Sequence, residues 1–337
     1  MDRQAQRIAY WDNVKAVLIV LVVLGHFLLP IRSRNVSVDI VYKWIHLFHM
    51  PAFVFTSGFF AKRYVRRGAS DTNRLIGFLF LYVCFMLAIW IIQVVLTKTL
   101  YFPNFFSTTM APWYLLCMCF WYLVIPHFAR IHPAWAISFS VLTALPIGAV
   151  IPDGAFLSLS RFFVFLPFFL AGYHSSGERI YQIRPRTVCV SVFVLLGAFL
   201  LCWFGRDVIM PYSSLLYGSY SYESISLTRI QGVIARLIWY GAASAVTFSF
   251  LCVIPKRRLF FTFIGERTLA IYILHRLIRE IVEQLGFYDY LGSGISVLPV
   301  CLILSIAVTL VCSGRKTSAL INRALSIPWT DSRRLTS

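Results

Sequence analysis

The sequence predicts an all-α, polytopic membrane protein with about ten transmembrane helices and both termini in the cytoplasm. Of its 337 residues, 59% are apolar and 13% are charged, and the mean hydropathy is +0.76. Soluble domains carry about 25% charged residues, so this composition excludes an ordinary soluble fold and a disordered chain. The apolar residues also form runs of the length that a bilayer requires, which is roughly 20 residues.

Ten apolar segments satisfy this length requirement, and they divide the whole chain into one transmembrane domain, residues 1–337. The predicted spans cover residues 12–30, 44–60, 75–97, 112–129, 134–151, 157–173, 187–204, 233–254, 268–285 and 295–313.

The net charge of +18 comes mainly from short connections between these segments, such as residues 62–67 and 256–258. Cytoplasmic loops of membrane proteins are enriched in Lys and Arg, so the charge indicates topology and not a nucleic-acid partner. We expect an integral protein of a bacterial cytoplasmic membrane. The first segment is predicted to be a retained anchor, because no small-residue cleavage site follows it.

The first two segments carry ionisable residues, which are costly inside a membrane and therefore indicate pairing or function. Lys15 and His26 are eleven residues apart, so they lie on one stripe of a helix, and Asp12 falls in the same sector. Asp12 is about 21 Å from His26 along the axis, so we expect it to pair with Lys15. His46 and His49 share a face at the depth of His26. The three histidines can form a polar pocket, or His46 and His49 can simply be satisfied by carbonyls or water.

The ninth segment has a polar face between residues 272 and 283, with Tyr272, His275 and Arg276 as candidate substrate contacts. Two ion pairs at i, i+4 spacing are expected on it: Arg276 with Glu280 and Arg279 with Glu283. A helix with such a face should line a wet cavity.

Further candidates lie at the outer ends of other segments. Arg161 and Arg236 either contribute to the same cavity or snorkel toward the interface. Trp113 and Tyr114, near the Tyr-rich connection 205–232, either form a platform for a sugar or belong to the interfacial aromatic belt.

No metal is expected. All eight cysteines lie in apolar stretches without a disulfide framework or a zinc spacing. The three histidines of the first two segments have no carboxylate at matching depth.

Several short motifs resemble one known family. They are DNVK at 12–15, GHF at 25–27, FHMP at 48–51, SGFF at 57–60, PWYL at 112–115, GERT at 265–268 and IYILH at 271–275. The chain resembles the acyltransferase 3 family of membrane O-acyltransferases, and within it the fucose 4-O-acetylase-like branch. The family's basic residue, ten intervening residues and histidine are matched by Lys15 and His26, and its Arg-x-x-Arg pattern by Arg63 and Arg66.

The resemblance implies an acyl donor, acetyl-CoA or another acyl-CoA, that binds from the cytoplasm and gives its acyl group to a hydroxyl of an envelope glycan on the outer side. It implies that His26 is the base or acyl relay and that Lys15, Arg63 and Arg66 serve the donor. Asp12 and His49 are further catalytic candidates. The candidate acceptor contacts are His46, Trp113, Tyr114, Arg161, Tyr272, His275 and Arg276.

Two alternatives remain at this point. A secondary transporter for an organic anion would also use buried His and Arg, although such folds usually show repeat symmetry, which is not seen here. The basic residues 62–67 also fit cytoplasmic topology without any phosphate clamp. The sequence leaves the acceptor, the acyl chain length and the oligomeric state open.

Overall fold

The chain is mostly helical in the part that the structure describes. The computed structural model describes residues 3–66, 72–107, 111–292, 294 and 296–329. Helix accounts for 79% of the structure, and no β-strand occurs among the described residues. The predicted all-α class is therefore confirmed.

Fourteen α-helices are found in these residues. They are α1 (Arg3–Leu28), α2 (Val36–Arg66), α3 (Thr72–Thr97), α4 (Trp113–Phe128), α5 (Pro133–Ala144), α6 (Ile147–Val150), α7 (Leu159–His174), α8 (Gly177–Phe204), α9 (Arg206–Ile209), α10 (Arg229–Val253), α11 (Thr262–Gly265), α12 (Thr268–Gln284), α13 (Val297–Cys312) and α14 (Arg315–Leu325).

Five stretches of the described chain are long and apolar enough to cross a membrane: Ala9–Leu28, Thr72–Thr97, Pro133–Val150, Thr187–Phe204 and Arg229–Val253. A sixth is added if α13 and α14, which are bent by 66° at their junction, form one span. The count of ten and the position of the termini stay predictions.

The other predicted segments also lie over helices, and they fall short for physical reasons. The helices α4 and α7 have 16 residues each. The helices α2 and α12 carry the buried histidines and arginines described below, which lower their hydropathy.

The helix α1 lies at the centre of the bundle, where it packs against α2, α11, α12 and α13. Within the most apolar 18 residues of the stretch Ala9–Leu28, 72% are buried inside the protein, whereas 11% are buried in Thr187–Phe204. The second stretch therefore faces outward, and the polar residues of α1 lie inside the bundle.

The helices α2 and α7 approach each other closely through two glycines. A Cβ atom at Gly58 would lie 1.9 Å from the carbonyl oxygen of Phe169, and one at Gly172 would lie 1.9 Å from that of Phe55. Small residues allow such backbone contact between helices in membranes. The SGFF sequence at 57–60 is thus needed for helix packing at Gly58.

We expect Gly58→Ala to destabilise the protein, because the added methyl group forces α2 and α7 apart. Overpacking costs about 1–3 kcal/mol even where side chains can adjust, and here the obstacle is backbone. The thermal unfolding midpoint of the detergent-purified variant should fall. Gly241→Ala is the control, since a Cβ there meets no atom within 4 Å; equal midpoints for the two variants would contradict this packing.

Candidate functional site

A cavity of about 530 Å³ opens at the end of α1 that carries His26. It is enclosed by α1, α2, α7 and α12, the start of α4, and the connecting segments 152–155 and 216–224. The predicted site residues that line it are His26, His46, His49, Trp113, Arg161, Tyr272 and Arg276. The shared pocket expected from helix depth is therefore present.

The helices α1 and α2 pack closely at this cavity. A Cβ atom at residue 25 would lie 3.0 Å from Cε1 of His46, so Gly25 allows the imidazole to lie against α1. The same imidazole stacks on Tyr42, with ring centroids 3.9 Å apart. The sequence Gly25-His26 thus places His26 beside the histidines of α2.

Three histidines are held by their own helices: His46 and His49, which line the cavity, and His275, which is fully buried beside it and does not line it. The Nδ1 atoms of His46, His49 and His275 each lie 2.8 Å from the carbonyl oxygen four residues earlier. A carbonyl only accepts, so Nδ1 carries the proton and Nε2 of the neutral ring is an acceptor. His46 and His49 therefore each make a hydrogen bond to a backbone carbonyl and also line the cavity.

The imidazole of His26 differs from these three because no hydrogen bond to the described residues fixes it. It is half-buried, and its ring centroid lies 5.2 Å from that of His275. Nε2 of His275 is buried and has no hydrogen-bond partner among the described residues. An orphaned acceptor beside a half-buried imidazole is unusual in a folded interior and points to use in the site.

The polar face predicted for α12 forms a second wall of the cavity. Nη1 of Arg276 lies 2.5 Å from Oε2 of Glu280, and Nη1 of Arg279 lies 2.7 Å from Oε2 of Glu283. Both predicted ion pairs are confirmed. Gln93 of α3 also donates to Oε1 of Glu280 at 2.7 Å. Both arginines line the cavity, and the ion pairs fix their side chains.

An aromatic wall stands near the start of α4. Trp113 lines the cavity, stacks on Phe165 with ring centroids 5.4 Å apart, and lies beneath the guanidinium of Arg161 at 5.2 Å. Tyr114 does not line the cavity; its hydroxyl lies 2.5 Å from Oγ of Ser57. Tyr114 therefore contacts Ser57 and the ring of Trp113 outside the cavity.

Two buried arginines hold the segment Met210–Tyr217 over the cavity. Nε of Arg161 donates to the carbonyl of Tyr217 at 3.2 Å, and Nη1 of Arg236 donates to that of Leu215 at 2.6 Å. The two residues are 8% and 1% exposed, so the snorkelling interpretation is wrong for both. Arg236 does not line the cavity, and its contact with Leu215 is structural.

The segment brings Tyr217 against two cavity residues that the sequence analysis missed, Arg32 and Tyr42. Nη1 of Arg32 donates to the Tyr217 hydroxyl at 2.5 Å, and that hydroxyl donates to the Tyr42 hydroxyl at 3.1 Å. Burial raises the pKa of Tyr217 above that of an ordinary phenol, so it stays protonated and can donate. Tyr42 precedes His46 by four residues, and this i, i+4 spacing could have indicated that both lie on the same face of α2.

The remaining predicted residues lie toward the other end of α1. Nζ of Lys15 lies 2.8 Å from Oδ1 of Asp12, which confirms their pairing and leaves Asp12 away from the cavity. Nζ of Lys15 and Cζ of Arg63 lie 5.2 Å and 5.8 Å from the centroid of the Phe60 ring. The side chain of Arg66 lies outside the described part of the chain.

Asn13, which was not predicted as a site residue, ties a basic connection to this end of α1. It is fully buried; its amide nitrogen donates to the carbonyls of Pro255 and Arg257 at 2.9 Å and 2.8 Å. Its amide oxygen accepts from Thr262 at 2.6 Å. The backbone of the basic connection 256–258 is thereby held against α1, two residues before Lys15.

Residues 8–314 match the acyltransferase 3 family model, described as an acyltransferase domain. The chain belongs to the acyltransferase 3 family. This acyltransferase is also similar to the nodulation protein NolL of Sinorhizobium fredii (strain NBRC 101917 / NGR234), with 24% identity over 311 residues, 82% of this chain and 79% of the relative. No solved structure matches it.

Family membership and the apolar helices together make this a membrane acyltransferase. The branch predicted within the family is not established by these matches. Among the described residues of the acyltransferase, no group of three or more His, Cys, Asp or Glu side chains is placed to hold a metal ion.

Proposed function

We propose that this protein is an O-acyltransferase that moves an acetyl group from acetyl-CoA to a hydroxyl of an envelope glycan, in the manner of fucose 4-O-acetylase-like enzymes. The observation that carries the proposal is His26, an imidazole that makes no hydrogen bond to any described residue, in a cavity large enough for a sugar. Ten spans with cytoplasmic termini would put this cavity on the outer side. They would put Lys15 and Arg63, called the donor cluster below, on the inner side.

Acyl transfer to a hydroxyl requires a base for the hydroxyl proton and donors that stabilise the negative charge on the acyl oxygen. In direct transfer, an imidazole nitrogen of His26 takes the proton of the acceptor hydroxyl while the hydroxyl oxygen bonds to the acyl carbon. The carbon–sulfur bond then breaks, and the departing thiolate receives that proton to give the CoA thiol and the ester. In the relay variant, a nitrogen of His26 bonds to the acyl carbon and the carbon–sulfur bond breaks to release the CoA thiolate. The acceptor hydroxyl oxygen then bonds to the acyl carbon and displaces the imidazole, and the hydroxyl proton passes to the thiolate to give the CoA thiol.

The neighbouring histidines suit supporting roles in this reaction. Nε2 of His275 can accept from a protonated His26 and so stabilise the cation formed when His26 takes a proton. In their neutral form, His49 and His275 offer no proton at Nε2, so donors to the oxyanion are better sought among the guanidinium groups of the cavity.

The donor end is formed by Lys15 and Arg63, which lie over the same ring, Phe60. We place the phosphates of CoA there, with Arg66 as a third contact. Lys15 and His26 are about 16 Å apart along α1, a distance that the extended arm of CoA would have to cross.

The acceptor end is formed by the aromatic and arginine walls. Trp113 presents a ring to the cavity, and the apolar C–H faces of sugars pack on such rings. His46, Arg161, Tyr272 and Arg276 line the same space and are placed as acceptor contacts. The hydroxyl of Tyr272 donates to the carbonyl of Ala111, so this tyrosine offers mainly its ring.

The proposal is tested by incubating the detergent-purified protein with isotopically labelled acetyl-CoA and an envelope glycan fraction. Label should appear on glycan as a base-labile ester. Binding of acetyl-CoA without any ester formation or donor hydrolysis would contradict the proposed enzyme.

Lys15→Ala should raise the KM for acetyl-CoA about tenfold or more, because a hydrogen bond to a charged group is worth about 1.5–3 kcal/mol. The turnover number should change little if Lys15 contributes only binding. Steady-state kinetics with labelled donor measure both. Lys43→Ala is a matched control, since Lys43 makes a similar pair with Asp39 at 2.7 Å on the other side of the bundle. An unchanged KM with a reduced turnover number would move Lys15 into the chemical step.

A further inference from the structure

The cavity has an unusual charge for a site that takes a neutral sugar. Four guanidinium groups line it, those of Arg32, Arg161, Arg276 and Arg279. Among the described lining residues, Asp153 supplies the one carboxylate, and its Oδ1 accepts from the backbone nitrogen of Ala155 at 2.9 Å.

Two of the four guanidinium groups are neutralised by carboxylates of their own helix that do not line the cavity. Glu280 and Glu283 pair with Arg276 and Arg279, as described above. Even so, Nε of Arg279 is buried without a hydrogen-bond partner among the described residues. A buried donor left without a partner is costly, and a ligand acceptor in the cavity would remove that cost.

Of the other two groups, Arg161 already donates to the carbonyl of Tyr217 and to the hydroxyl of Ser219, which leaves Arg32. Its partners in the described chain are neutral: the hydroxyl of Tyr217 at 2.5 Å, the ring of Tyr42 at 4.8 Å and the ring of Tyr217 at 5.8 Å. No described carboxylate forms an ion pair with it. The stacked rings and the hydroxyl hold its planar donor array in place, which reduces the entropy lost when an anion binds.

We infer that the acceptor carries an anionic group, a carboxylate or a phosphate, and that Arg32 with Tyr217 binds it. The inference rests on the proposed function and narrows the acceptor to an acidic glycan or to a glycan on a phosphate-bearing carrier. Arginine suits this role because its donors match both carboxylate and phosphate oxygens in pairs.

The phosphates of the acyl donor are a poor explanation for this charge. The donor cluster at Lys15 lies about 16 Å from His26 along α1, and Arg32 follows the end of that helix at Leu28 on the far side of His26. All phosphates of CoA lie at its nucleotide end, so a donor whose nucleotide end binds at Lys15 and whose thioester reaches His26 has no phosphate left for Arg32.

The test measures ligand binding by the full-length, detergent-purified protein without acyl-CoA, as shifts of the thermal unfolding midpoint. The probes are glucuronate, glucose as its neutral counterpart, and inorganic pyrophosphate. A ligand that binds only the folded state raises the midpoint with its concentration, so apparent affinities can be compared.

The variants are Arg32→Gln and the matched control Arg34→Gln. Arg34 is two residues away but does not line the cavity; it donates to the carbonyl of Tyr288 at 2.6 Å. We expect glucuronate or pyrophosphate to stabilise the native protein at concentrations where glucose does not. Arg32→Gln should weaken that affinity about tenfold or more, whereas Arg34→Gln should not.

The two anions distinguish the two sources. An Arg32-dependent shift with glucuronate supports an acidic sugar, and one with pyrophosphate alone supports a phosphate-bearing carrier. Equal shifts with glucose and both anions, or shifts that Arg32→Gln leaves unchanged, would overturn the inference; the latter includes pyrophosphate bound only at the donor cluster.

Donor hydrolysis, measured separately with labelled acetyl-CoA, keeps this outcome apart from that of the proposed function. Hydrolysis that depends on His26, without Arg32-dependent anion binding, would remove the inference and leave the acyltransferase. Arg32-dependent binding without hydrolysis or transfer would remove the proposed function and leave an anion site.

Discussion

His26→Ala should abolish acyl transfer while the protein remains folded and inserted. The substitution removes the imidazole that accepts the hydroxyl proton or carries the acyl group, and general-base catalysis contributes about 10²- to 10⁴-fold. No hydrogen bond to the described residues is lost with the ring, so the fold should tolerate the change. Transfer of label from acetyl-CoA to glycan, together with the thermal unfolding midpoint, measures both effects.

His127→Ala is the control for this experiment. His127 is an exposed residue in the last turn of α4, whereas the cavity lies at the first turn of that helix. It should retain full activity. Normal acetylation by a correctly folded His26→Ala protein would eliminate the base and relay roles together.

His275→Phe should lower the turnover number by about 10²-fold, the lower end of what proton-transfer catalysis contributes. The aromatic ring keeps much of the volume, but it removes the orphaned Nε2 acceptor beside His26. The cation formed when His26 takes a proton then loses its neighbouring acceptor. Because His275 is distant from the donor cluster, the KM for acetyl-CoA should stay near its native value.

The split between turnover number and KM separates this role from a packing defect. His275 is fully buried, so Phe can also strain α12. His275→Gln retains an amide acceptor and should recover part of the lost turnover. Equal losses for Phe and Gln, with lowered unfolding midpoints for both, would make His275 a packing residue.

Much of the site could be predicted from helical geometry alone. The i, i+4 pairs of α12 and the pairing of Asp12 with Lys15 depend on one helix each, so sequence spacing was sufficient. The common depth of His26, His46 and His49 followed from counting residues along two adjacent helices. The cavity confirms that these three residues are brought together.

What could not be predicted depends on how separate elements pack. Tyr217 reaches Arg32 only because Arg161 and Arg236 bind the backbone of the segment Met210–Tyr217 from other helices. The side chain of Tyr114 faces Ser57 because of the tertiary packing of α2 and α4. Likewise, the buried polar residues of α2 and α12 lower the hydropathy of these helices, so five or six candidate spans are found among the described residues and the count of ten stays a prediction.

The most direct test of the account is a measurement of acetyl transfer across a bilayer. Proteoliposomes containing the purified protein would receive labelled, membrane-impermeant acetyl-CoA on one side, with envelope glycan enclosed on the other. We predict that label appears as an ester on the enclosed glycan with the native protein and not with His26→Ala. Ester formation that requires donor and glycan on the same side, or that persists in His26→Ala, would contradict a central cavity in which His26 receives its donor from the opposite face.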